Sequence, residues 1–280
     1  MTGIYNLDGK VALITGSGRR RGLGEAMARR LAAEGCAVML HDLGAVKGEI
    51  APAHGVGTTA EMEGIADEMR AAGQRIATVT GDMLVEDDVR AMVEATVATF
   101  GRIDILVNNA GIGYLFGPLT EMTAEKWDAV LGVNLRGPFL AMKHAAKRMI
   151  EQGQGGSIIN IASQAAKSGF AMATAYTASK HGLVGLTRAA ALEWGAHRIR
   201  VNAICPNHVT TGLGAWQNDF MSKARGQTLE EYMDSMKARI PLGRPGLVED
   251  TANACAFLCS DQAAYITGEA MNVSGGEEYH

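Results

Sequence analysis

The sequence predicts a single α/β domain built on a doubly wound parallel sheet of about seven strands, with helices on both faces. Two observations carry this expectation. Short apolar, β-branched runs alternate along the chain with stretches of helical length and period, the pattern of strand–helix–strand units that pack as a parallel sheet. The first strand also runs straight into a glycine-rich loop and an amphipathic helix, which is half of a nucleotide-binding unit. No linker, repeat or low-complexity tract interrupts the 280 residues, so one domain spanning 1–280 is expected.

The first strand, residues 11–15 (VALIT), opens into the loop GSGRRRGLG. Glycines let a backbone approach a pyrophosphate, and a helix beginning around Gly22 to Gly24 offers unpaired N–H groups and the positive end of its dipole. The second strand, 37–41, ends at Asp42, about where dinucleotide-binding units carry an acidic residue. A carboxylate there accepts from both hydroxyls of an adenosine ribose and repels a 2′-phosphate, which favours NAD over NADP. The plainer alternative is an acidic turn residue. Residues 43–59, glycine-rich and containing Pro52, read as a long loop at the same end.

A helix over 60–72, a strand over 76–80, a helix over 86–100 and a strand over 103–107 follow. Asp82, just after the third strand, either accepts from an adenine amino group or caps the next turn. The fourth strand ends in Asn108-Asn109-Ala110-Gly111, where small residues permit close approach and the amides can tie neighbouring strands. A helix from about residue 123 contains VNLRGPF. Its Asn134 amide either holds a kinked backbone or binds a water leading toward Lys180.

The fifth strand, 155–162 (GGSIINIA), delivers Ser163 at its C-terminal end, where ligands usually sit in such folds. From Tyr176 the pattern is helical, which sets Tyr176 and Lys180 on one face, one turn apart. A phenol has a pKa of about 10 and is a poor acid or base at neutral pH; a neighbouring cation favours the phenolate. Ser163 can then hydrogen-bond a substrate oxygen as charge develops on it. A strand ending in Ser before a surface helix that carries Tyr and Lys is the plainer alternative.

A sixth strand, 199–204, leads to Pro206 and a segment over 207–240. Its Leu213, Trp216, Phe220, Met221, Tyr232, Met233 and Met236 lie among polar residues. They suit a substrate lid, or a helical pair packed on the core or on a partner subunit. A helix over 248–258 and a strand over 270–273 complete the chain.

With 26 Lys and Arg against 30 Asp and Glu, the net charge is -4. Beyond Arg19 to Arg21 there is no basic cluster, so nucleic acid and acidic membranes are not expected partners. No apolar run is long enough for a signal or a membrane span, which points to a soluble, cytoplasmic protein. The four cysteines, Cys36, Cys205, Cys255 and Cys259, form no metal-type cluster and read as buried free thiols, so no metal is expected.

Taken together, TGSGRRRGLG, Asp42, Asp82, NNAG, Asn134, Ser163, YTASK and the YITG…VSGG ending resemble the short-chain dehydrogenase/reductase family of the classical type, over nearly the whole chain. The resemblance implies a Rossmann fold and a catalytic set of Asn134, Ser163, Tyr176 and Lys180. Tyr176 would be the general acid/base, Ser163 the partner of the substrate oxygen, Lys180 the tuner of Tyr176 and binder of a nicotinamide ribose, and Asn134 the anchor of a proton-relay water. It further implies that Gly16, Arg21, Gly22, Leu23 and Gly24 meet the pyrophosphate side of the cofactor. Asp82 and Met83 would cup the adenine, Asn109 would lie near the adenosine ribose, and Val209 and Thr211 would meet the nicotinamide amide. A homodimer or homotetramer is also implied, through the helices that contain Asn134 and Tyr176, with Ala189 to Ala191 allowing close approach.

The sequence departs from the family's pattern in several places. The glycine loop is two residues longer than the common form, which leaves open which of Ser17 to Arg21 touches phosphate. Enoyl reductases of the superfamily also stretch this loop but space Tyr and Lys farther apart, so YTASK argues against their reaction. Arg21, directly before Gly22, points to NADP and conflicts with Asp42. Asn207 replaces a Gly after Pro206, and Ser274 replaces an Asp. The expected activity is NAD-dependent interconversion of a secondary alcohol and a ketone, with NADP possible as cofactor. Tyr114, Leu115, Phe116, Gln164, Phe170, Met172 and Trp216 are candidate walls for a small apolar, cyclic or aromatic substrate. An NADPH-dependent carbonyl or 3-oxoacyl reductase and a non-catalytic nucleotide-sensing protein stay open as alternatives.

Overall fold

The computed structural model describes residues 4–5, 7–46, 56–113 and 115–279, without the side chains of 212 and 213. Tyr114, the Leu213 side chain and residues 47–55 of the expected loop therefore lie outside the described residues. In chain order the elements are β1 (Val11–Thr15), α1 (Leu23–Ala33), β2 (Ala37–Asp42), α2 (Thr59–Ala71), β3 (Ile76–Thr80), α3 (Glu86–Phe100), β4 (Ile105–Asn108) and α4 (Ala124–Leu131). They continue with α5 (Gly137–Gln152), β5 (Gly156–Ile161), α6 (Thr174–Trp194), β6 (Ile199–Pro206), α7 (Gly212–Ala224), α8 (Leu229–Arg239), α9 (Val248–Cys259) and β7 (Ala270–Val273).

The seven strands form one parallel sheet in the order β3-β2-β1-β4-β5-β6-β7. Side chains of a strand alternate between faces, and the core divides accordingly. Ala12 and Ile14 of β1, Val38 and Leu40 of β2, and Ile105 and Val107 of β4 pack with Met27, Leu31, Met62, Ile65 and Ala252 of the helices on one face. Leu13, Met39 and Leu106, one residue out of step, pack with Val89, Met92, Leu140 and Met149 on the other. Both faces are covered, which is why these strands are apolar throughout rather than alternating. Burying each such side chain contributes roughly 2 kcal/mol.

The order reverses between β1 and β4, so the loops that leave these two strands diverge and open a crevice at the C-terminal end of the sheet. The glycine loop leaves β1 and Asn109 to Gly111 follow β4, while Asp42, Ser163 and Val209 stand at or just beyond the same ends of β2, β5 and β6. Among the described residues no helix is long and apolar enough to cross a membrane.

The stretch from residue 123 is not one helix. Between α4 and α5 the backbone widens into a π turn over Gly132–Arg136, and Asn134 sits fully buried inside it. Its Oδ1 accepts from Ile112 N, and its Nδ2 donates to Ile112 O, all at 2.8 Å, and to Ser179 Oγ at 3.1 Å. Ser179 Oγ in turn donates to Tyr176 O at 2.7 Å. The amide thus holds the irregular backbone against the loop after β4 and the start of α6, the first of the two roles open to it. Isolated π turns of this kind are frequent at functional sites.

The segment over 207–240 forms the helical pair α7 and α8, with a small core of Tyr232, Met236 and Ile240 against Met221 and Met233. Phe116, Trp216 and Phe220 stack on one another with ring centroids 5.6 to 5.8 Å apart. This stack ties α7 to the loop after β4.

Candidate active site

A cleft of about 730 Å³ runs along the C-terminal ends of the strands, from Asp42 and Gly57 at one end to His208 and Glu277 at the other. Its first half is a backbone cradle. Gly16 has φ +65°, and a side chain there would come within 2.7 Å of Ala110 Cα. A side chain at Gly24 would run into the Gly16 carbonyl. Gly22 starts α1 with no side-chain cap, so the first-turn N–H groups face the cleft without a side-chain acceptor. Gly16, Gly22, Leu23 and Gly24 all line the cleft, as the sequence implies. The cradle fits a pyrophosphate, which needs close backbone approach and N–H donors.

Two arginines of the stretched loop are held away from the cleft, Arg20 by α2 and Arg21 by α1. Arg20 N donates to Glu61 Oε1 at 2.8 Å and its guanidinium pairs with Glu68 at 2.7 Å. Arg21, with φ +57°, is exposed and its N donates to Glu25 Oε2 at 2.6 Å. Arg21 is therefore outside the cleft, against the sequence expectation, and Arg19 is the arginine of this run that lines it. Three adjacent arginines are alike in sequence; the carboxylates of α1 and α2 sort them.

Asp42 lies under this loop. Its Oδ2 accepts from Gly18 N and its Oδ1 from Leu43 N, both at 2.9 Å. Burial raises its pKa above the ordinary carboxyl value, opposed by these two amides. Asp82 and Met83 border the same end. Asp82 Oδ1 accepts from Leu84 N at 2.9 Å, so the turn role is realised there. Asn109 lines the cleft, while its Nδ2 donates to Thr15 O at 3.0 Å and Gly16 O at 2.7 Å; it locks the glycine loop to β4.

The second half of the cleft gathers Ser163, Tyr176, Lys180, Val209 and Thr211. The Ser163 hydroxyl lines the cleft with the Tyr176 phenol and lowers the phenol's pKa, while its Oγ accepts from Ala165 N at 3.1 Å. Lys180 is buried, its Nζ 5.6 Å from the centre of the Tyr176 ring and donating to Ile161 O at 2.8 Å. Thr211 caps α7 by accepting from Gly214 N at 3.1 Å. Asn134 stands behind Lys180 rather than in the cleft wall. A Cβ at Gly111 would meet Asn134 Oδ1 at 3.2 Å and Lys180 Nζ at 3.7 Å, so nothing larger than glycine separates them.

The electrostatics differ from the sequence expectation in one respect. Burial raises the Tyr176 phenol above its ordinary value, and Ser163 pulls it back without winning. Burial also brings the Lys180 ammonium down to about 8, and the nearby cation does not offset the desolvation of the phenol.

At the far end Phe116, Gln164 and Phe170 line the wall as expected, whereas Leu115, Met172 and Trp216 do not. Met172 is exposed with φ +66°, and Trp216 spends its face on the aromatic stack. Opposite Phe116 and Phe170 the wall is polar, carrying Asn207, His208, Asn218, Arg225 and Glu277. The wall expected to suit a small apolar substrate thus carries polar side chains as well as apolar ones. The sequence reading left Arg19 among the open candidates of Ser17 to Arg21 and missed His208, Arg225, Arg239 and Glu277, all of which border the cleft. Lone polar residues outside a motif carry no signal of their own.

A family model described as Enoyl-(Acyl carrier protein) reductase matches residues 16–278. A short-chain dehydrogenase/reductase of Armillaria gallica is 40% identical over 268 residues, covering 96% of this chain and 95% of the relative. D-threitol dehydrogenase of Mycolicibacterium smegmatis is 39% identical, covering 97% and 94%. Among solved structures, carveol dehydrogenase from Mycobacterium avium in complex with NAD superposes with a TM-score of 0.90 at 30% identity, covering 97% of this chain and 98% of that one. A glycine cradle under the β1–β4 crevice and a Ser163, Tyr176, Lys180 group at its far side, in a chain so closely matched end to end, make this protein a member of the short-chain dehydrogenase/reductase family of oxidoreductases.

Proposed function

We propose that the protein is an NAD-dependent dehydrogenase that interconverts a secondary alcohol and a ketone, with Tyr176 as general acid/base. The observation that carries this reading is the convergence of Ser163, Tyr176 and Lys180 on one end of a cleft whose other end is a glycine cradle beside Asp42. NAD bound there would accept the hydride from the substrate carbon. As the C–H pair leaves, the phenolate of Tyr176 takes the hydroxyl proton, and Ser163 hydrogen-bonds the oxygen that becomes the carbonyl. In reduction Tyr176 returns that proton. The Lys180 ammonium beside the ring favours the ionised phenol, and Asn134 holds the backbone around it. Asp42 suits a ribose with a free 2′-hydroxyl, and Arg19 alongside it is the group that would favour NADP instead.

In place of an apolar substrate we propose a polar one, since amide, imidazole and carboxylate groups border the far end; the relative named D-threitol dehydrogenase supports a hydroxylated substrate. Helices α7 and α8, which border the cleft with Asn218 and Met221 and with Tyr232 and Arg239, would serve as its lid. Titration with NAD, NADH, NADP and NADPH, followed by assay of reduced cofactor with a panel of secondary alcohols and polyols, tests the reading. NAD(H) binding with turnover is the expected result. Binding without turnover on any alcohol would mean a nucleotide sensor, and preference for NADP(H) a reductase.

A second copy of the chain is the proposed partner. The outer faces of α5 and α6 leave a groove of about 550 Å³ lined by Phe139, Met142, Ala146, Leu186 and Trp194, with Phe139 45% exposed. Apolar area of this kind is seldom left open on a monomer. Sedimentation is expected to give a dimer or tetramer; a monomer at micromolar concentration would refute the pairing.

A further inference from the structure

The two C-terminal departures from the family's pattern, Asn207 and Ser274, serve one feature at the far end of the cleft. After β7 the chain reverses at Gly275 and Gly276, with φ +64° and +95°, values that favour glycine. The Ser274 hydroxyl holds this turn: Oγ accepts from Gly276 N and Glu278 N, both at 3.3 Å, and donates to Glu278 O at 2.9 Å. The reversal carries Glu277 back to the cleft. Its Oε2 accepts from Asn207 Nδ2 and lies 3.3 Å from His208 Nε2, and its Oε1 accepts from Arg239 Nε at 3.1 Å. Glu278, next in sequence, accepts from Ser168 Oγ and, at 3.4 Å, from Gln164 Nε2.

These contacts fasten the segment after β7 to three parts of the site at once. Glu278 grips the loop that carries Ser163. Glu277 grips the loop after β6 and the end of α8. Asn207, His208, Arg239 and Glu277 all border the cleft. Burial opposes the Glu277 charge, but the bonds from Asn207 and Arg239 outweigh it, and the carboxyl titrates below its ordinary range. It is ionised at neutral pH. The His208 pKa is also lowered, chiefly by burial, and the imidazole is neutral there.

A carboxylate offers about four acceptor positions. Asn207 and Arg239 fill two and His208 stands beside one of the same oxygens, which fixes the group at the cleft border with acceptor capacity to spare. We infer that Glu277 is a specificity-determining residue: a fixed acceptor that hydrogen-bonds a second hydroxyl of the substrate, so that polyhydroxylated alcohols are preferred to simple secondary alcohols. The inference rests on the alcohol–ketone reading above. A substrate without that hydroxyl leaves a partly desolvated charge facing carbon, and a hydrogen bond to a charged group changes affinity by roughly ten- to a hundredfold. Asn207 is a positioning residue, since it acts through Glu277.

The test compares kcat/KM for threitol and for cyclohexanol in the wild type, Glu277→Gln and Asn207→Ala. Glu277→Gln keeps the shape of the side chain and removes its charge. The threitol-to-cyclohexanol ratio is expected to fall about tenfold or more in Glu277→Gln, through a higher KM for threitol, and by a smaller factor in Asn207→Ala. NADH titration confirms that each variant is folded. An unchanged ratio in a folded Glu277→Gln overturns the inference. Should that variant not fold, the same criterion applies to Asn207→Ala. A wild type that turns over other alcohols of the panel but not threitol overturns the inference alone, whereas one that binds NADH and turns over none of the panel refutes the dehydrogenase reading, and the inference falls with it.

Discussion

Replacing Tyr176 by Phe lowers kcat for alcohol oxidation by about a thousandfold, within the range that a positioned acid/base contributes, while NADH still binds. The substitution deletes one oxygen. The ring keeps its packing and its place beside Lys180, so a loss of this size cannot come from a collapsed cleft. Ser163 retains the capacity to bond the substrate oxygen. A folded Tyr176→Phe protein with wild-type kcat would remove the phenol from the mechanism and return the nucleotide-sensor alternative.

The same group sets the pH dependence. Burial holds the phenol above its ordinary pKa, and oxidation requires the ionised form, so the oxidation rate climbs as pH rises through the alkaline range. Reduction requires the protonated form and falls over that range. Lys180 acts inside the same window. Burial brings its ammonium down to about 8, so its charge favours the phenolate below that pH and is lost above it. The climb in oxidation therefore slackens beyond pH 8. In Tyr176→Phe both slopes vanish along with the rate.

What could be read from sequence follows from how local each cause is. Strand β5, Ser163 at its end, and Tyr176 one turn from Lys180 depend on burial and helical period, which the residues themselves carry. The two-faced core is equally local, because alternate residues of β1, β2 and β4 must be apolar to be covered on both sides. The π turn at Asn134 is not local. VNLRGPF within a helix leaves a kinked backbone or a bound water equally open for Asn134, and the bonds that decide it run to Ile112 and Ser179, 22 and 45 residues away. The sorting of Arg19 from Arg20 and Arg21 likewise depends on Glu25, Glu61 and Glu68 of two helices. The phenol shift was misjudged for a related reason. A cation one turn away is visible in sequence, whereas the desolvation that outweighs it belongs to the assembled cleft.

Replacing Asp42 by Ala lowers the preference for NAD over NADP by about a hundredfold, since bringing like charges together costs several kcal/mol. The carboxylate is well fixed for selection. Gly18 N and Leu43 N hold one oxygen each, and the chain wraps the residue so closely that a Cβ at Gly18 would come within 2.8 Å of the Asp42 Cβ and one at Gly57 within 2.8 Å of its Oδ2. Held so at the cleft border, it has little room to swing aside for a 2′-phosphate. In Asp42→Ala the charge is gone and the two amides lose their acceptor, while Arg19 still lines the cleft. Amides and guanidinium then form a site that a phosphate suits. The affinities of the four cofactor forms for wild type, Asp42→Ala and Arg19→Ala separate the contributions. If Asp42→Ala folds and keeps its preference, Asp42 is a structural acceptor for the loop. If Arg19→Ala then weakens NADP alone, selection belongs to the glycine loop, and the two residues added to that loop are what turned Arg19 inward.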